Sequence, residues 1–224
     1  MSDPLHAALS AVLDDASAVQ QPTTSQQPIP AAVLVLLGDP GAVGTDPTAW
    51  PALEVVLTKR RAELRSHAGE ISCPGGRWEP SDGSLYETAV REAEEEIGLP
   101  RATVSAVGAL PVVLTFVTNY AVFPFVALAS GTPPADRAEG AEGANGGVDG
   151  DGRSARPRWQ VSANEVEEVI ELPLQRLREN RLPTHLERRG YSFETDTFTV
   201  DGHVIWGATY RILDQLIGRL ERLG

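Results

Sequence analysis

Between Ser84 and Pro100 the residue pattern admits little but a helix, and that helix constrains the rest of the chain. Ser84-Leu85-Tyr86-Glu87 is a capping box, a serine at the N-cap with a glutamate three residues on. Gly98 and Pro100 stop the helix about four turns later. At about 100° per residue, Tyr86, Ala89, Val90, Ala93 and Ile97 share one arc, an apolar stripe that needs another layer to cover it. The same helix carries Glu92, Glu94, Glu95 and Glu96, and like charges three or four apart repel by a few tenths of a kcal/mol each. The spacing divides these acids. Glu87 and Glu94 point to solvent, whereas Glu92, Glu95 and Glu96 occupy a separate arc beside Leu85. Arg91, four after Glu87 and four before Glu95, can pair with either. Three carboxylates on one arc call for a cation, and oxygen-only ligands suit Mg²⁺ or Mn²⁺. The bland alternative is an exposed acidic face.

A covering layer is available. The runs at 31–38, 53–60, 103–116 and 120–129 read as strands, and 165–174 as a strand leading into a short helix that starts at Pro173. Residues 191–206 read as a hairpin turning at Asp201-Gly202, and 208–223 as a closing amphipathic helix. The expected fold is mixed α/β and layered. Residues 4–18 read as a short amphipathic helix, and the Gln/Pro/Thr stretch 19–30 as a flexible linker. The expected organisation is therefore an N-terminal helix and linker over 1–30 and one domain over 31–224. A Gly/Ala/Pro-rich insertion at 130–157 lacks the apolar residues to fold alone and is expected to be disordered.

Composition narrows the function. With 42% apolar and 22% charged residues, the 224-residue chain suits a globular domain. A net charge of −12 argues against a general nucleic-acid binder, which would carry a basic face, but leaves room for small phosphorylated substrates met through a metal. The single cysteine, Cys73, cannot form an internal disulfide. The N-terminus shows neither a signal peptide nor a membrane span, so a cytoplasmic protein without a membrane partner is expected.

The stretch 76–99, GRWEPSDGSLYETAVREAEEEIGL, resembles the Nudix box, whose second half runs R-E-apolar-x-E-E-x-G-apolar. Arg91, Glu92, Ala93, Glu95, Glu96, Gly98 and Leu99 fill every position of it. Its first half expects an acid eight before the arginine, where Gly83 stands; Asp82 supplies one if the loop is a residue longer. The coenzyme A pyrophosphatase branch of the family shows this same lengthening. The preceding LTKRRAELRSHAGEISCPGG (57–76) is similar to the signature of that branch, matching at Leu57, Thr58, Arg60, Leu64, Arg65, His67, Gly69, Pro74, Gly75 and Gly76. Glu70 stands in place of the usual glutamine and Cys73 in place of the usual phenylalanine. EVEEVIELPL and VIWGATYRIL also look like segments of this branch.

The resemblance implies a Nudix-type α/β/α sandwich with a mixed sheet. It implies metal-dependent hydrolysis of the diphosphate bond of coenzyme A or its derivatives, giving 3′,5′-ADP and 4′-phosphopantetheine. It makes Glu92 and Glu96 metal ligands, with Gly76 offering its carbonyl, and makes Glu95 a further ligand or the base; Glu165, Glu167 and Glu168 are rival bases. Arg91 would orient Glu95 or another carboxylate, and Gly75-Gly76 would let the backbone approach the site. Arg60 and Arg65, with His67, would meet the phosphates of the substrate, while Arg61 reads as surface. A homodimer is expected by analogy with many Nudix proteins. Other substrates (ADP-ribose, NADH, a nucleoside triphosphate) and a domain that only binds a nucleotide are the competing readings. Cys73 reads as a small buried residue, not a nucleophile. His185 and His203 read as ordinary surface or turn residues, and Tyr120, Phe123 and Trp206 as packing residues.

Overall fold

The structure, a computed structural model, describes residues 3–23, 25, 27–38, 46–62, 69–129, 159–188 and 190–224. The insertion at 130–157 lies outside the described residues, as do Leu64, Arg65 and His67.

Two long strands form the spine. β1 (Ile29–Gly38) runs parallel to β7 (Tyr120–Ala129) along almost its whole length. The remaining pairings in this sheet are antiparallel: β2 (Glu54–Arg60) and β4 (Gly75–Arg77) share the other edge of β1, β8 (Val166–Pro173) and β3 (Ile71–Ser72) flank β2, and β5 (Val104–Ala109) and β6 (Val113–Leu114) flank β7. The sheet is thus mixed. Alternate side chains explain its two covered faces. From β1, Ala32, Leu34 and Leu36 face one core, and Val35 and Leu37 face the other.

On the first face lies α2 (Leu85–Ile97), whose Leu85, Ala89, Val90, Ala93 and Ile97 are buried against Leu34, Leu36, Val56 and Phe125. On the second lie α1 (Pro4–Val12), α3 (Leu174–Glu179) and α4 (Gly207–Leu220). A second sheet, ordered β11-β10-β9 (His203–Ile205, Tyr191–Val200, Arg181–Arg188), packs there through Phe198, Val200 and Ile205. Helices on both faces of a mixed sheet make the α/β/α sandwich that the sequence implied.

Several boundaries differ from expectation. The helix expected over 4–18 ends at Val12, because Leu13 is extended and Asp14 pairs with the β5 strand end through Asp14 N–H to Ala109 O (3.0 Å) and Ala109 N–H to Asp14 O (2.8 Å). The strand expected over 103–116 is broken around Pro111 into β5 and β6, since proline cannot donate to the ladder. β9, read from sequence as no particular element, pairs with nearly the whole of β10. The hairpin does turn at Asp201-Gly202.

Candidate active site

The site begins with how α2 is held. The Ser84 hydroxyl accepts the Glu87 N–H at 3.1 Å, and Gly98 closes the helix in the left-handed region (φ 67°), donating to Glu94 O at 3.0 Å. The segment after the insertion then caps the same end: Gln160 N–H donates to Ile97 O (3.1 Å) and Ser162 N–H to Glu96 O (2.9 Å). A β-carbon on Gly98 would press on Gln160 Cβ at 2.6 Å, so glycine serves both the turn and this contact. Nothing in the sequence pattern announced the 160–162 cap, because it depends on a contact made across more than sixty residues.

Among the described residues Glu96 is the most buried acid, with a side chain 3% exposed. Its Oε2 accepts the Gly75 N–H at 3.2 Å, and its Oε1 lies 3.5 Å from Arg60 Nη1. Burial pushes its carboxyl up to about 7; the Gly75 N–H and Arg60 oppose that rise, and the charges of Glu92 and Glu165 add to it. Glu92, 17% exposed, lies directly over Gly76, where a β-carbon would collide with its carboxylate. Burial also raises Glu92, with Arg91 opposing and Glu95 and Glu165 adding.

Arg91 organises the rim. It grips Asp82 through two bonds, Nε to Oδ1 at 2.8 Å and Nη2 to Oδ2 at 3.2 Å, and reaches Glu92 Oε1 (3.0 Å), Glu95 Oε2 (3.2 Å) and the Arg77 carbonyl (3.3 Å). Of the two partners its spacing allowed, it takes Glu95. Asp82 also accepts from the Glu79 N–H (3.0 Å) and the Thr88 hydroxyl (2.8 Å). Burial pushes Asp82 up, but hydrogen bonds from Arg91, Glu79 and Thr88 outweigh it and hold the carboxyl below its ordinary value. Thr88, silent in the sequence reading, therefore braces the acid that braces Arg91.

The structure brings together Glu92, Glu96, Gly75, Gly76, Arg91, Asp82 and Arg60. Glu95 stands at the edge, 60% exposed. Among the described residues no three carboxylate, imidazole or thiol groups already surround one point as a metal cage. The donors nonetheless fit a hard divalent cation: Glu92 and Glu96 offer carboxylate oxygens from one helix turn beside the Gly75-Gly76 backbone, in a pocket of charge where acids raise one another. Glu167 is engaged by Lys59 at 2.6 Å, and Glu168 sits opposite Lys59 on β8, exposed. Arg61 donates from Nη1 to the Ala163 carbonyl at 3.0 Å. Cys73 is buried, which pushes its thiol up to about 12 and leaves it inert as a nucleophile. Trp206 packs on Phe193 at 5.8 Å, and Tyr120 and Phe123 pack against the two cores.

With fold and site in place, comparison with known proteins identifies the class. The NUDIX domain family matches residues 30–145. The chain is 33% identical over 168 residues to the uncharacterized Nudix hydrolase NudL of Salmonella newport (strain SL254), covering 74% of each; the NudL of Salmonella agona (strain SL483) gives the same figures. The chain belongs to the Nudix family and is a hydrolase of nucleoside diphosphate derivatives. Among solved structures, a NUDIX hydrolase from Alicyclobacillus acidocaldarius (16% identity, TM-score 0.49, 88% of this chain and 93% of that one) and the NUDIX domain of Shewanella oneidensis NrtR complexed with ADP ribose (14%, 0.49, 93% and 96%) are similar at a level that says nothing of substrate. Nudix hydrolases generally use divalent metal ions such as Mg²⁺ or Mn²⁺. Among the described residues no helix is long and apolar enough to cross a membrane.

Proposed function

We propose that this chain hydrolyses the diphosphate bond of coenzyme A or its thioesters, with Mg²⁺ or Mn²⁺, giving 3′,5′-ADP and 4′-phosphopantetheine or its acyl derivative. One observation carries the reading: Arg60, from the LTKRR stretch that resembles the coenzyme A branch, and Gly75-Gly76, which close that stretch, meet Glu92 and Glu96 of the Nudix helix.

Glu92 and Glu96 would hold the divalent ion, joined by the Gly76 carbonyl. When bound, such an ion supplies charge neutralisation at the diphosphate and a more acidic attacking water. The chain's own residues do the rest. Arg91, fixed by Asp82, orients Glu95 and Glu92. Glu95, held by Arg91 at the exposed rim, takes the proton of the water. Glu165 is the rival base, because its charge reaches both Glu92 and Glu96. Arg60, with Arg65 and His67 from the segment outside the described residues, receives substrate phosphate. The protein acts in the cytoplasm, as a homodimer by family analogy; light scattering of the purified protein reads its assembly.

The test is product analysis with Mg²⁺ or Mn²⁺ across coenzyme A, acetyl-coenzyme A, 3′-dephospho-coenzyme A, ADP-ribose, NADH and nucleoside triphosphates. Coenzyme A yields 3′,5′-ADP, and removing the 3′-phosphate lowers kcat/KM. Preference for ADP-ribose or NADH overturns the substrate assignment, and no turnover of any diphosphate overturns the enzyme. Glu96→Gln loses about a hundredfold or more in activity. Glu95→Gln lowers kcat by about 10²–10⁴ with Mn²⁺ affinity little changed; the same result for Glu165→Gln instead moves the base there.

A further inference from the structure

The cation that meets the buried Glu96 in this structure is a side chain. Val56 and Thr58 of β2 face α2, and Arg60 follows on that face past a bulge: Lys59 lies opposite Glu168 and Arg60 opposite Val166, which leaves Glu167 as the extra residue. Arg60 Nη1 thereby reaches within 3.5 Å of Glu96 Oε1, well beyond the roughly 2.7–2.9 Å of a tight charge-assisted bond. Its Nε is buried and has no acceptor. A buried carboxylate needs a counter-charge, and this guanidinium supplies one while leaving a donor unused. It is an ill-fitting partner, 26% exposed and with a way out to solvent. Glu96 is also the oxygen donor that the proposed function assigns to the divalent ion, and a guanidinium and a dication repel each other over one carboxylate.

We propose that Arg60 is a placeholder cation: it neutralises Glu96 in the metal-free protein, gives up that carboxylate when the divalent ion binds, and carries its free Nε–H to the anionic substrate. The inference rests on the metal-dependent reading above. Ion and substrate then bind with positive coupling, because filling the first site releases a ligand for the second.

Mn²⁺ affinity, read by electron paramagnetic resonance of the free ion without substrate, tests it together with the thermal stability of the metal-free proteins. Arg60→Gln binds Mn²⁺ about fivefold tighter or more and melts at lower temperature without metal. Arg60→Lys, which keeps the charge, stays near the wild-type affinity. Equal or weaker Mn²⁺ binding by Arg60→Gln overturns the proposal. Should that variant not fold, the arginine Nε–H resonances of the wild-type protein decide: on Mg²⁺ addition the Arg60 signal shifts and exchanges faster with water, and a signal that stays unchanged as the site fills overturns the placeholder. A wild-type protein that binds Mn²⁺ and turns over diphosphates, beside an Arg60→Gln of unaltered affinity, sinks the placeholder alone. A wild-type protein that binds no ion sinks the metal-dependent reading with it.

Discussion

Gly75 and Gly76 are neighbours in sequence and have different reasons to be glycine. A β-carbon at Gly75 would run into the backbone of β1, colliding with the Ala32 carbonyl and lying 2.6 Å from Val33 Cα. At Gly76 it would meet only the movable carboxylate of Glu92. Gly75→Ala should therefore destabilise the fold by about 1–3 kcal/mol, read by denaturant unfolding. Gly76→Ala should leave stability within about 0.5 kcal/mol while weakening Mn²⁺ binding, read by titration. Equal losses of stability in both would contradict this division. Glu96 also sets a pH dependence. Its folded-state carboxyl sits near 7, above the ordinary value of 4.5, so between those limits the folded protein holds a proton that the unfolded chain has lost. Stability from this group is present below pH 4.5 and lost as pH rises towards 7. The metal-free protein should melt at lower temperature at pH 7.5 than at pH 5.5, and Glu96→Gln should flatten that difference. Helical spacing sets Glu92, Glu95 and Glu96 apart from Glu87 and Glu94, but spacing alone does not tell Glu95 from Glu96. Their unlike exposure arises because Glu96 faces the Gly75 turn and β2, while Glu95 faces the rim.

At the scale of elements, the ends of α2 were legible, because cap and stop are local signals and the helix runs Leu85–Ile97 between Ser84 and Gly98. Its stripe was legible only in part, since Leu85, placed beside the acids by spacing, is buried and Tyr86 is half-buried. Ser84→Ala should cost about 1 kcal/mol, seen as a lower urea midpoint without loss of the Arg91–Asp82 grip. The acid missing from the first half of the box was legible only as a conditional, Asp82 if the loop were longer. The bidentate contact of Arg91 with Asp82 shows that the longer loop does present it. The β2–β8 bulge and the Gln160–Ser162 cap were not legible, because each depends on pairing between segments far apart in the chain. Local propensity carries no information about such register shifts.

At the scale of the molecule, the N-terminal helix is built into the core. Leu5 and Leu9 are fully buried in the same cluster as α4, and Arg219 of α4 clasps Asp14 at 2.9 Å through Nη1 and Nη2 and donates from Nη1 to the Val12 carbonyl at 3.0 Å. Leu9→Ala should cost about 2–5 kcal/mol by chemical denaturation, more than its place near the chain end suggests; a cost below about 0.5 kcal/mol would mean that α1 merely rests on the domain.

The sequence by itself determined the α2 helix, the run of carboxylates it carries, the layered α/β class and the Nudix family, because capping, periodicity and a contiguous motif are all encoded within a few turns of chain. Tertiary structure alone decided that Glu96 is buried beside Gly75 while Glu95 stays wet, that Asp82 and Thr88 brace Arg91, and that Arg60 stands against Glu96. Those facts depend on how far separate segments approach one another. Burial and charge act through space, and spacing along the chain does not measure that distance.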